Sequence, residues 1–466
     1  MKDATSSTPE AFGDALSRFR AAHPETRVAE VFVTDMNGLQ RGKLVPVEML
    51  GKLASGGMRL PISTLVLDVF STDVPETGLA IERGDPDGSM IPIVETMAPL
   101  LWAERPTMQV QCMLSDESGE AISTYDPRGL LLRMAEAAAA RGLRPVMALE
   151  LEFFLIDPDT AEPPVSPHGG GRLSRSQIYD VSVMRAFEPL LADIAEAARA
   201  LGAPAETVIC EFGPGQFEMN LAHADCAVTA CDHMIALRRA VRGVARRHGL
   251  DASFMAKPFG ESAGSGQHLH LSLLDEAGQN VFADPDTDPA WGPSGGPNAR
   301  LRHAVAGVLG SLGDTFLLHA PHLNSYRRFM PGSYAPMTAA WGLDNRGVAV
   351  RVPAHAGTAA RLEARMAGAD ANPYLLAAGI LAGALAGLDA EREPAAPLAA
   401  EALAGEGASL PLSWAMAEQR FSEAAFATEW FGTAFVTAFS AVKRQERATL
   451  LARVPDIEYD AYLRTV

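Results

Sequence analysis

The sequence predicts an α+β protein in which a small strand-rich N-terminal part precedes a larger part that mixes strands with long helices. Three observations predict this class. Short alternating segments separated by turn residues fill the first part of the chain, the pair Asp126-Pro127 then opens a helix, and longer helical segments follow. We therefore expect two domains, one over residues 20–118 and one over residues 119–466.

In the N-terminal part, turn residues separate short segments that have the apolar pattern of strands. The turn Asp35-Met-Asn-Gly38 stands between the first two of them and indicates a hairpin. Residues 1–20 are predicted to form a short helix or a frayed tail. Strands are predicted over residues 28–33, 40–45, 64–70 and 107–114.

The second part begins with a helix that has clear start and stop signals. Asp126 is the N-cap, Pro127 occupies the first helical position, and Gly142 follows the end. Loops rich in Asp, Gly, Pro or Ala are predicted over residues 275–296 and 394–407. Further helices are predicted over residues 183–201, 225–248, 301–312, 373–388 and 413–445.

The composition excludes several classes of protein. The chain has 466 residues and a formal net charge of -18, which argues against binding to nucleic acid. Its 4 cysteines form no C-x-x-C pair, as expected in a reducing cytoplasm. The N-terminus has no signal-peptide pattern, and the longest apolar run, residues 374–388, is shorter than the ~20 residues that a membrane span needs.

Carboxylates alternate with apolar residues on two predicted strands. Glu150 and Glu152 lie two residues apart, so both side chains point to the same face of the strand over residues 147–156. Glu211 and Glu218 stand at the two sides of a strand–turn–strand unit. Carboxylates surrounded by apolar residues lose hydration and repel one another, so they persist only when protonated or bound to cations.

Two more strands show the same pattern with basic and hydroxyl groups. His268, His270 and Ser272 share one face of a strand, and Gly264 in front of them allows a close approach of backbone and ligand. Arg361, Glu363 and Arg365 share a face of another strand. Each fragment alone also fits a solvated sheet face or an ion-pair ladder, but the four together indicate one polar pocket.

Such a pocket fits divalent metal ions and phosphate chemistry. Its ligands are mostly oxygen atoms, which favours Mg²⁺ or Mn²⁺ over Zn²⁺. Arginines can neutralise the charge that develops during phosphoryl transfer. No Walker A motif is present, so a P-loop nucleotide site is not predicted. The arginines that follow the acidic strands are Arg327, Arg328, Arg346, Arg351, Arg361 and Arg365.

These motifs, taken in order, resemble the glutamine synthetase family over residues 28–466. The resemblance implies a small N-terminal β-grasp domain and a large α/β catalytic domain with a curved antiparallel sheet. It also implies a ring-shaped homo-oligomer, a dodecamer of two hexameric rings. The matching segments are E-L-E-F-F at 150–154, E-F-G-P-G-Q-F-E at 211–218, G-S-G-Q-H-L-H-L-S at 264–272, N-S-Y-R-R-F-M-P-G at 324–332, N-R-G-V-A-V-R-V-P at 345–353 and R-L-E-A-R at 361–365.

The resemblance also implies roles for individual residues, with ATP and two or more Mg²⁺ or Mn²⁺ ions in each active site. Glu152, Glu211 and Glu218 match the ligands of a first metal ion, and Glu150, His268 and Glu363 match those of a second. The glutamate-binding set is Gly264, Arg328 and Arg365, the nucleotide set is Glu206, His270, Ser272, Arg351 and Arg361, and the residues assigned to catalysis are Arg346, Arg328 and Glu152.

Two departures from the family pattern bear on the nucleophile. Pro61 stands where the family has the Asp of its ammonium site, and Tyr334 replaces the Glu of the flap motif P-G-x-E-A-P. The same departures are similar to the branch that joins glutamate to polyamines such as putrescine. An amine with a carbon chain needs room and a less acidic entrance. A base must still deprotonate the ammonium group, whose pKa is ~10, and Asp68 and Tyr334 are only candidates for it.

The sequence thus predicts a cytoplasmic, ATP-dependent ligase that forms a γ-glutamyl amide from glutamate and an amine through γ-glutamyl phosphate. A polyamine is the expected amine. Alternatives are a glutamine synthetase that uses ammonium, a ligase for ethanolamine or an alkylamine, a nitrogen sensor that binds without turnover, and a non-catalytic protein that keeps the fold. The presence of all six expected metal ligands argues against the non-catalytic protein.

Overall fold

Sixteen strands form the sheets of the computed structural model, which describes residues 8–291, 293–399 and 407–466. In chain order they are β1 (Val28–Thr34), β2 (Gln40–Pro46), β3 (Arg59–Pro61), β4 (Asp87–Pro92), β5 (Ala98–Pro99), β6 (Thr107–Leu114), β7 (Arg144–Ile156), β8 (Ala205–Cys210), β9 (Gln216–Leu221), β10 (Asp251–Ser253), β11 (Leu269–Leu274), β12 (Thr338–Ala339), β13 (Trp341–Leu343), β14 (Val350–Ala354), β15 (Arg361–Ala364) and β16 (Ala408–Ser409).

Twelve α-helices accompany them in the described part of the chain. They are α1 (Pro9–Ala22), α2 (Gly51–Ala54), α3 (Pro127–Ala139), α4 (Val181–Ala186), α5 (Glu188–Ala200), α6 (Ala227–Arg247), α7 (Ala299–His319), α8 (Pro373–Asp389), α9 (Trp414–Glu423), α10 (Ala425–Phe431), α11 (Thr433–Leu451) and α12 (Asp456–Tyr462). None of the described helices is long and apolar enough to span a bilayer.

The N-terminal sheet has the order β2-β1-β6-β4-β3, and β5 also pairs with β6. Its central strands β1 and β6 are parallel, as in a β-grasp fold. The predicted strands at 28–33, 40–45 and 107–114 are confirmed. The predicted strand at 64–70 is wrong, because Ile62–Val66 is a 3-10 helix and Asp68 then accepts hydrogen bonds from the backbone of Phe70 and Thr72 in a turn.

The second sheet carries the polar strands and has the order β13-β14-β15-β11-β7-β9-β8, with β10 also paired to β7. Every pair in it is antiparallel except β13 and β14. Helices α3, α6 and α7 all pack against α8, which is apolar on all of its faces and buried along almost its whole length. Helices α3 and α6 also pack against β7, so this helical core lies against the sheet that carries the polar groups.

Some helix predictions differ from the structure because breakers interrupt them. The helix predicted over 183–201 is two helices, α4 and α5, since Pro189 in the first turn of α5 cannot continue the preceding helix. The helix predicted over 413–445 is three, and Gly432 separates the last two with a φ of 86°. The helix predicted over 301–312 continues to His319. Of the predicted loop 394–407, residues 400–406 lie outside the described residues.

Buried polar contacts join the N-terminal sheet to the C-terminal helices. Asn37, in the turn after β1, donates a 2.9 Å hydrogen bond to Glu446 of α11 and accepts one from Lys443. Lys443 and Glu446 are 0% exposed and lie 3.0 Å apart. Asn372, the N-cap of α8, donates to the carbonyl of Asp35 at 2.9 Å. Described residues of both sheets also belong to one continuous hydrophobic core.

Candidate active site

The carboxylates of β7 and β9 meet on one face of the second sheet. The register of this antiparallel pair places Glu152 directly opposite Glu218, and Glu150 opposite Asn220. Alternation along β7 puts Glu150 and Glu152 on the same side, while Leu149, Leu151 and Phe153 point into the core. The prediction that Glu150 and Glu152 share a face is confirmed, and the structure adds Glu218 to that face.

Glu150 lies between the two predicted imidazoles. Its carboxylate oxygens are 2.8 Å from Nδ1 of His268 and 2.9 Å from Nε2 of His270. Arg361 donates from Nε to Nδ1 of His270 at 3.2 Å, so that nitrogen accepts and Nε2 carries the proton that faces Glu150. The ring of His270 is thus oriented by Glu150 at one nitrogen and by Arg361 at the other.

Glu363 on β15 is held by two arginines. It is 1% exposed, accepts a 2.8 Å hydrogen bond from Nη1 of Arg351, and also pairs with Arg365. Burial raises the pKa of Glu363, but the charge of Arg365 together with those of His268 and His270 outweighs burial and leaves the pKa below its ordinary value. The carboxylate of Glu363 is therefore charged without any bound cation.

Glu211 reaches the same site from the end of β8. A tight turn follows it, closed by a 3.0 Å hydrogen bond from the Glu211 amide to the carbonyl of Gln216, and Gly215 adopts a φ of 76° in this turn. The side chain of Gln216 donates to Glu152 at 3.2 Å. The turn therefore fixes Glu211 and steadies Glu152 together, a role of Gln216 that the sequence did not reveal.

Glycines allow the backbone before β11 to touch the site. A Cβ at Gly264 would lie 2.7 Å from Cγ of Arg328, so a side chain at position 264 would displace that arginine. The amide of Gly266 donates to Glu152 at 2.9 Å. Arg328 is 7% exposed and donates to the carbonyl of Met366 at 3.0 Å. Gly264 and Arg328 are thus in the direct contact expected of a shared binding surface.

Two carboxylates lack the partners that would keep them ionised. Burial and then the charge of Glu152 raise the pKa of Glu211 to about 7. Burial and then the charges of Glu150 and Glu152 raise the pKa of Glu218 to about 9. By contrast, burial raises the pKa of Glu150, but hydrogen bonds from His268 and His270 outweigh it and hold the pKa well below its ordinary range. A bound cation would relieve the repulsion at Glu211 and Glu218.

One cavity of about 1260 Å³ collects most of the predicted site residues. Its lining combines acids with arginines of opposite charge. The predicted residues that line it are Glu150, Glu152, Glu211, Glu218, Gly264, His268, Arg328, Arg346, Arg351, Glu363 and Arg365.

Four residues that the resemblance assigned to the nucleotide do not line this cavity. His270 and Arg361 lie on the other side of Glu150, in contact with each other. His223 packs against His270 with ring centroids 6.3 Å apart, and the charge of exposed Glu206 acts on His223, so Glu206 belongs to the same neighbourhood. The hydroxyl of Ser272 donates to the carbonyl of Ala360, the residue before Arg361, at 2.9 Å.

The donor atoms fit a divalent metal ion, since they are carboxylate oxygens with one or two imidazole nitrogens. Among the described residues, two groups have ligand atoms within 4.8 Å of one another: Glu150, His270 and Glu363, and Glu150, Glu218 and His268. This grouping differs from the one that the resemblance implied. It includes His270, it places Glu150 in both groups, and it contains neither Glu152 nor Glu211.

The sequence analysis also missed aromatic residues at the cavity mouth. Phe212 and Tyr334 line the cavity and stack on each other with ring centroids 6.0 Å apart. Phe212 lies inside the E-F-G-P-G-Q segment, directly after the predicted metal ligand Glu211. No local pattern links it to Tyr334, because the contact joins distant parts of the chain.

Comparison with known proteins gives consistent results at the family, sequence and structure levels. The family model "Glutamine synthetase, catalytic domain" matches residues 124–462. Gamma-glutamylputrescine synthetase PuuA of Escherichia coli K12 is 36% identical over 97% of this chain and 95% of its own. A glutamate–isopropylamine ligase of Pseudomonas is 31% identical over 88% and 89%. A solved GmaS/ADP complex superposes with a TM-score of 0.82 at 27% identity, over 96% of this chain and 99% of that one.

Proposed function

Because this chain belongs to the glutamine synthetase family, we propose that it is an ATP-dependent ligase that joins the γ-carboxylate of glutamate to an amine. The amine is a polyamine of the putrescine type. The observation that carries this proposal is the convergence of Glu150, Glu211, Glu218, His268 and Glu363 on one cavity whose walls are lined by arginines. The names of the relatives that act on putrescine and isopropylamine support an amine with a carbon chain.

The acids and His268 are proposed to hold two or more Mg²⁺ or Mn²⁺ ions. Following the family resemblance, we assign Glu152, Glu211 and Glu218 to one ion, and Glu150, His268 and Glu363 to another. When bound, such ions neutralise phosphate oxygens and so make the γ-phosphate of ATP open to attack. The raised pKa values of Glu211 and Glu218, about 7 and about 9, support this assignment, since a bound cation would favour the ionised form of both carboxyls.

The remaining residues divide between the substrates. Arg328, Arg365 and Gly264 are proposed to hold glutamate, because they lie together at one wall of the cavity. Arg346 and Arg351 face the transferred phosphate. Glu206, His270, Ser272 and Arg361 contact the nucleotide, for which His270 and Arg361 form a preordered pair beside Glu150.

The reaction proceeds in two steps whose atoms balance. An oxygen of the glutamate γ-carboxylate attacks the γ-phosphorus of ATP, the bond to the β-phosphate oxygen breaks, and ADP leaves. The neutral amine then attacks the γ-carbonyl carbon of the acyl phosphate, phosphate leaves, and the attacking nitrogen loses a proton. Arg346 and Arg328 stabilise the charge that develops at the phosphate and at the carbonyl oxygen. The acyl phosphate is needed because a free carboxylate is a poor acceptor for an amine.

We also propose the division into a β-grasp domain over residues 20–118 and a catalytic domain over residues 119–466. The separate six-stranded and eight-stranded sheets support this division. The family resemblance further supports a homo-oligomer, a dodecamer of two hexameric rings, and a cytoplasmic location.

One amine panel tests the proposal. The purified protein is incubated with Mg-ATP, glutamate and a single amine, ADP release is followed continuously, and the product is identified by mass spectrometry. We expect putrescine to give the highest kcat/KM and ammonium to give a value at least about tenfold lower. Glu152→Gln is the control for contaminating ligases. It replaces a proposed metal ligand by an amide of similar size, so activity that remains in this variant comes from a contaminant.

Other outcomes identify the alternatives. Ammonium as the best nucleophile would make the protein a glutamine synthetase, and ethanolamine or a short alkylamine as the best would make it a monoamine ligase. A protein that binds Mg-ATP and glutamate in calorimetry but releases no ADP with any amine would be a sensor. A protein that does not bind Mg-ATP would be non-catalytic.

A further inference from the structure

Exposed apolar side chains gather at the mouth of the cavity. Phe212, Tyr179, Met330 and Tyr334 are 43%, 59%, 51% and 64% exposed, and all four line it. Exposed apolar side chains that cluster in a concave polar site are characteristic of ligand contact rather than of chain folding. These four side chains differ in chemistry from the carboxylates and arginines that line much of the same cavity.

The central feature of the mouth is the ring pair of Phe212 and Tyr334. The two planes are inclined by 28°, with centroids 6.0 Å apart. Phe212 follows Glu211 directly in the chain, and Tyr334 comes from the segment after Arg328. Both rings line the same cavity as the acids, so a molecule bound in that cavity can lie against them.

Aromatic rings favour the binding of amines that carry a carbon chain over the binding of ammonium. A chain of methylene groups loses contact with water when it lies on an aromatic surface, and each methylene so buried favours binding by about fourfold. The face of an aromatic ring also attracts an ammonium group. Bare ammonium gains only the second effect, whereas an alkylamine or a diamine gains both. Neither Phe212 nor Tyr334 carries a carboxylate that would bind ammonium strongly.

We propose that Phe212 and Tyr334 together form the surface that contacts the carbon chain of the amine, and that they set the preference of this enzyme for alkylamines over ammonium. The proposal rests on the proposed ligase function and adds residues that determine specificity. The pair acts on the second substrate alone, because neither ring belongs to the charged set around glutamate or the metal ions.

The test measures kcat/KM for a homologous series of amines: ammonium, methylamine, propylamine, butylamine and putrescine. In the unaltered protein we expect kcat/KM to rise with chain length. Phe212→Ala and Tyr334→Ala are expected to flatten this rise, so that the ratio of butylamine to ammonium falls at least about tenfold, while the KM values for ATP and glutamate change by less than about twofold. Tyr334→Phe keeps the ring and is expected to keep the ratio.

Two further variants sharpen the result. Tyr334→Glu places a carboxylate at the mouth and is expected to raise kcat/KM for ammonium relative to butylamine. Tyr459→Leu removes an aromatic ring that is 50% exposed on α12, away from the cavity, and is expected to leave the series unchanged. Calorimetry of butylamine binding to the complex with Mg-ADP and glutamate gives a readout that does not depend on turnover.

Each alternative result is decisive. If both alanine variants lose the same factor with ammonium as with butylamine, the pair is structural and the proposal is wrong. If the ratio is unchanged, the rings do not contact the chain and the proposal is wrong. If the unaltered protein forms no amide with any amine, the ligase function fails instead. In that case butylamine binding that is weakened by Phe212→Ala still supports a ring–chain contact, and equal binding overturns it.

Discussion

Glu152 on β7 and Glu218 on β9 face each other directly across an antiparallel pair of strands. Like charges in this position destabilise a sheet. The pKa of Glu218 is raised to about 9 by burial and by the charges of its neighbours, so the metal-free protein keeps this carboxyl protonated near pH 7. A divalent cation would replace that proton.

Replacing Glu218 by Gln distinguishes the protonated, metal-free form of this side chain from its metal-bound form. The amide resembles the protonated carboxyl, so we expect Glu218→Gln to leave the melting temperature of the metal-free protein unchanged or to raise it by about 1–3 °C. Loss of a metal ligand should lower kcat by about 100-fold or more. Calorimetric melting and ADP release measure the two effects. Glu196→Gln, on the exposed face of α5, is the matched control, and a large destabilisation would contradict the prediction.

The affinity for Mg²⁺ should rise with pH, because the ion displaces protons from Glu211 and Glu218. The folded pKa values of about 7 for Glu211 and about 9 for Glu218 lie above the ordinary value of 4.5. The metal-free folded protein therefore binds more protons than the unfolded chain between pH 4.5 and pH 9, and the two groups favour folding less as the pH rises through that interval.

Because Mg²⁺ displaces these protons, its apparent affinity should rise about tenfold per pH unit for each proton released. Calorimetric titrations in buffers with different ionisation enthalpies count the protons directly at pH 6, 7 and 8. Glu218→Gln should release fewer protons than the unaltered protein. A binding heat that does not depend on the buffer would show that no proton is displaced.

Glu363→Gln should have the opposite effect on stability. Glu363 is 1% exposed and pairs with Arg351 and Arg365, the latter only 5% exposed. Removing the carboxylate leaves a buried guanidinium without its counter-charge, which costs about 3–5 kcal/mol. We expect a clear drop in the melting temperature of the metal-free protein, with Glu363→Asp restoring part of it. A melting temperature like that of Glu218→Gln would refute the difference between the two acids.

The buried pair Lys443 and Glu446 should hold α11 against the turn that follows β1. Burial raises the pKa of Glu446, but the charges and hydrogen bonds of Lys443 and His322 together outweigh burial and lower the pKa to about 2, so this stabilisation is present above pH 4.5 and is lost as the pH falls toward 2. Lys443→Met leaves Glu446 buried without a cation and should destabilise by about 3–5 kcal/mol.

Denaturant titration at pH 7 measures the cost of Lys443→Met. The double variant Lys443→Met/Glu446→Gln should recover part of the loss, since it removes the uncompensated charge. Arg444→Met is the control on the same helix: its side chain is 41% exposed and pairs with exposed Glu76 and with Glu418, and Arg447 still pairs with Glu418 in this variant, so it should cost about 1 kcal/mol or less. Equal effects of Lys443→Met and Arg444→Met would mean that the buried pair contributes nothing specific.

Periodicity predicted which side chains share a face, but it did not predict which of them meet across strands. Alternation placed Glu150 beside Glu152 correctly. The pairing of Glu152 with Glu218 depends on the register of β7 against β9, two strands separated by residues 157–215, and a period-two pattern does not contain that register. The position of His270 beside Glu150 likewise follows from the pairing of β11 with β7.

The remaining errors come from residues that break regular structure locally. Asp68 turns the chain with its own side chain where an apolar pattern predicted a strand, and Pro189 and Gly432 divide predicted helices. The contact of Phe212 with Tyr334 could not be predicted at all, since it joins two turns whose relative position is set by the whole sheet.

Helix α8 has a consequence for how the chain is made. It is apolar on every face and fills the space between α3, α6 and α7, all of which precede it in the sequence. A ribosome therefore delivers three amphipathic helices well before the element that covers them. The faces of these helices that pack against α8 stay exposed to solvent until residue 389 has left the exit tunnel. This protein therefore acquires its final packing late in translation, and we expect it to need protection from aggregation until then.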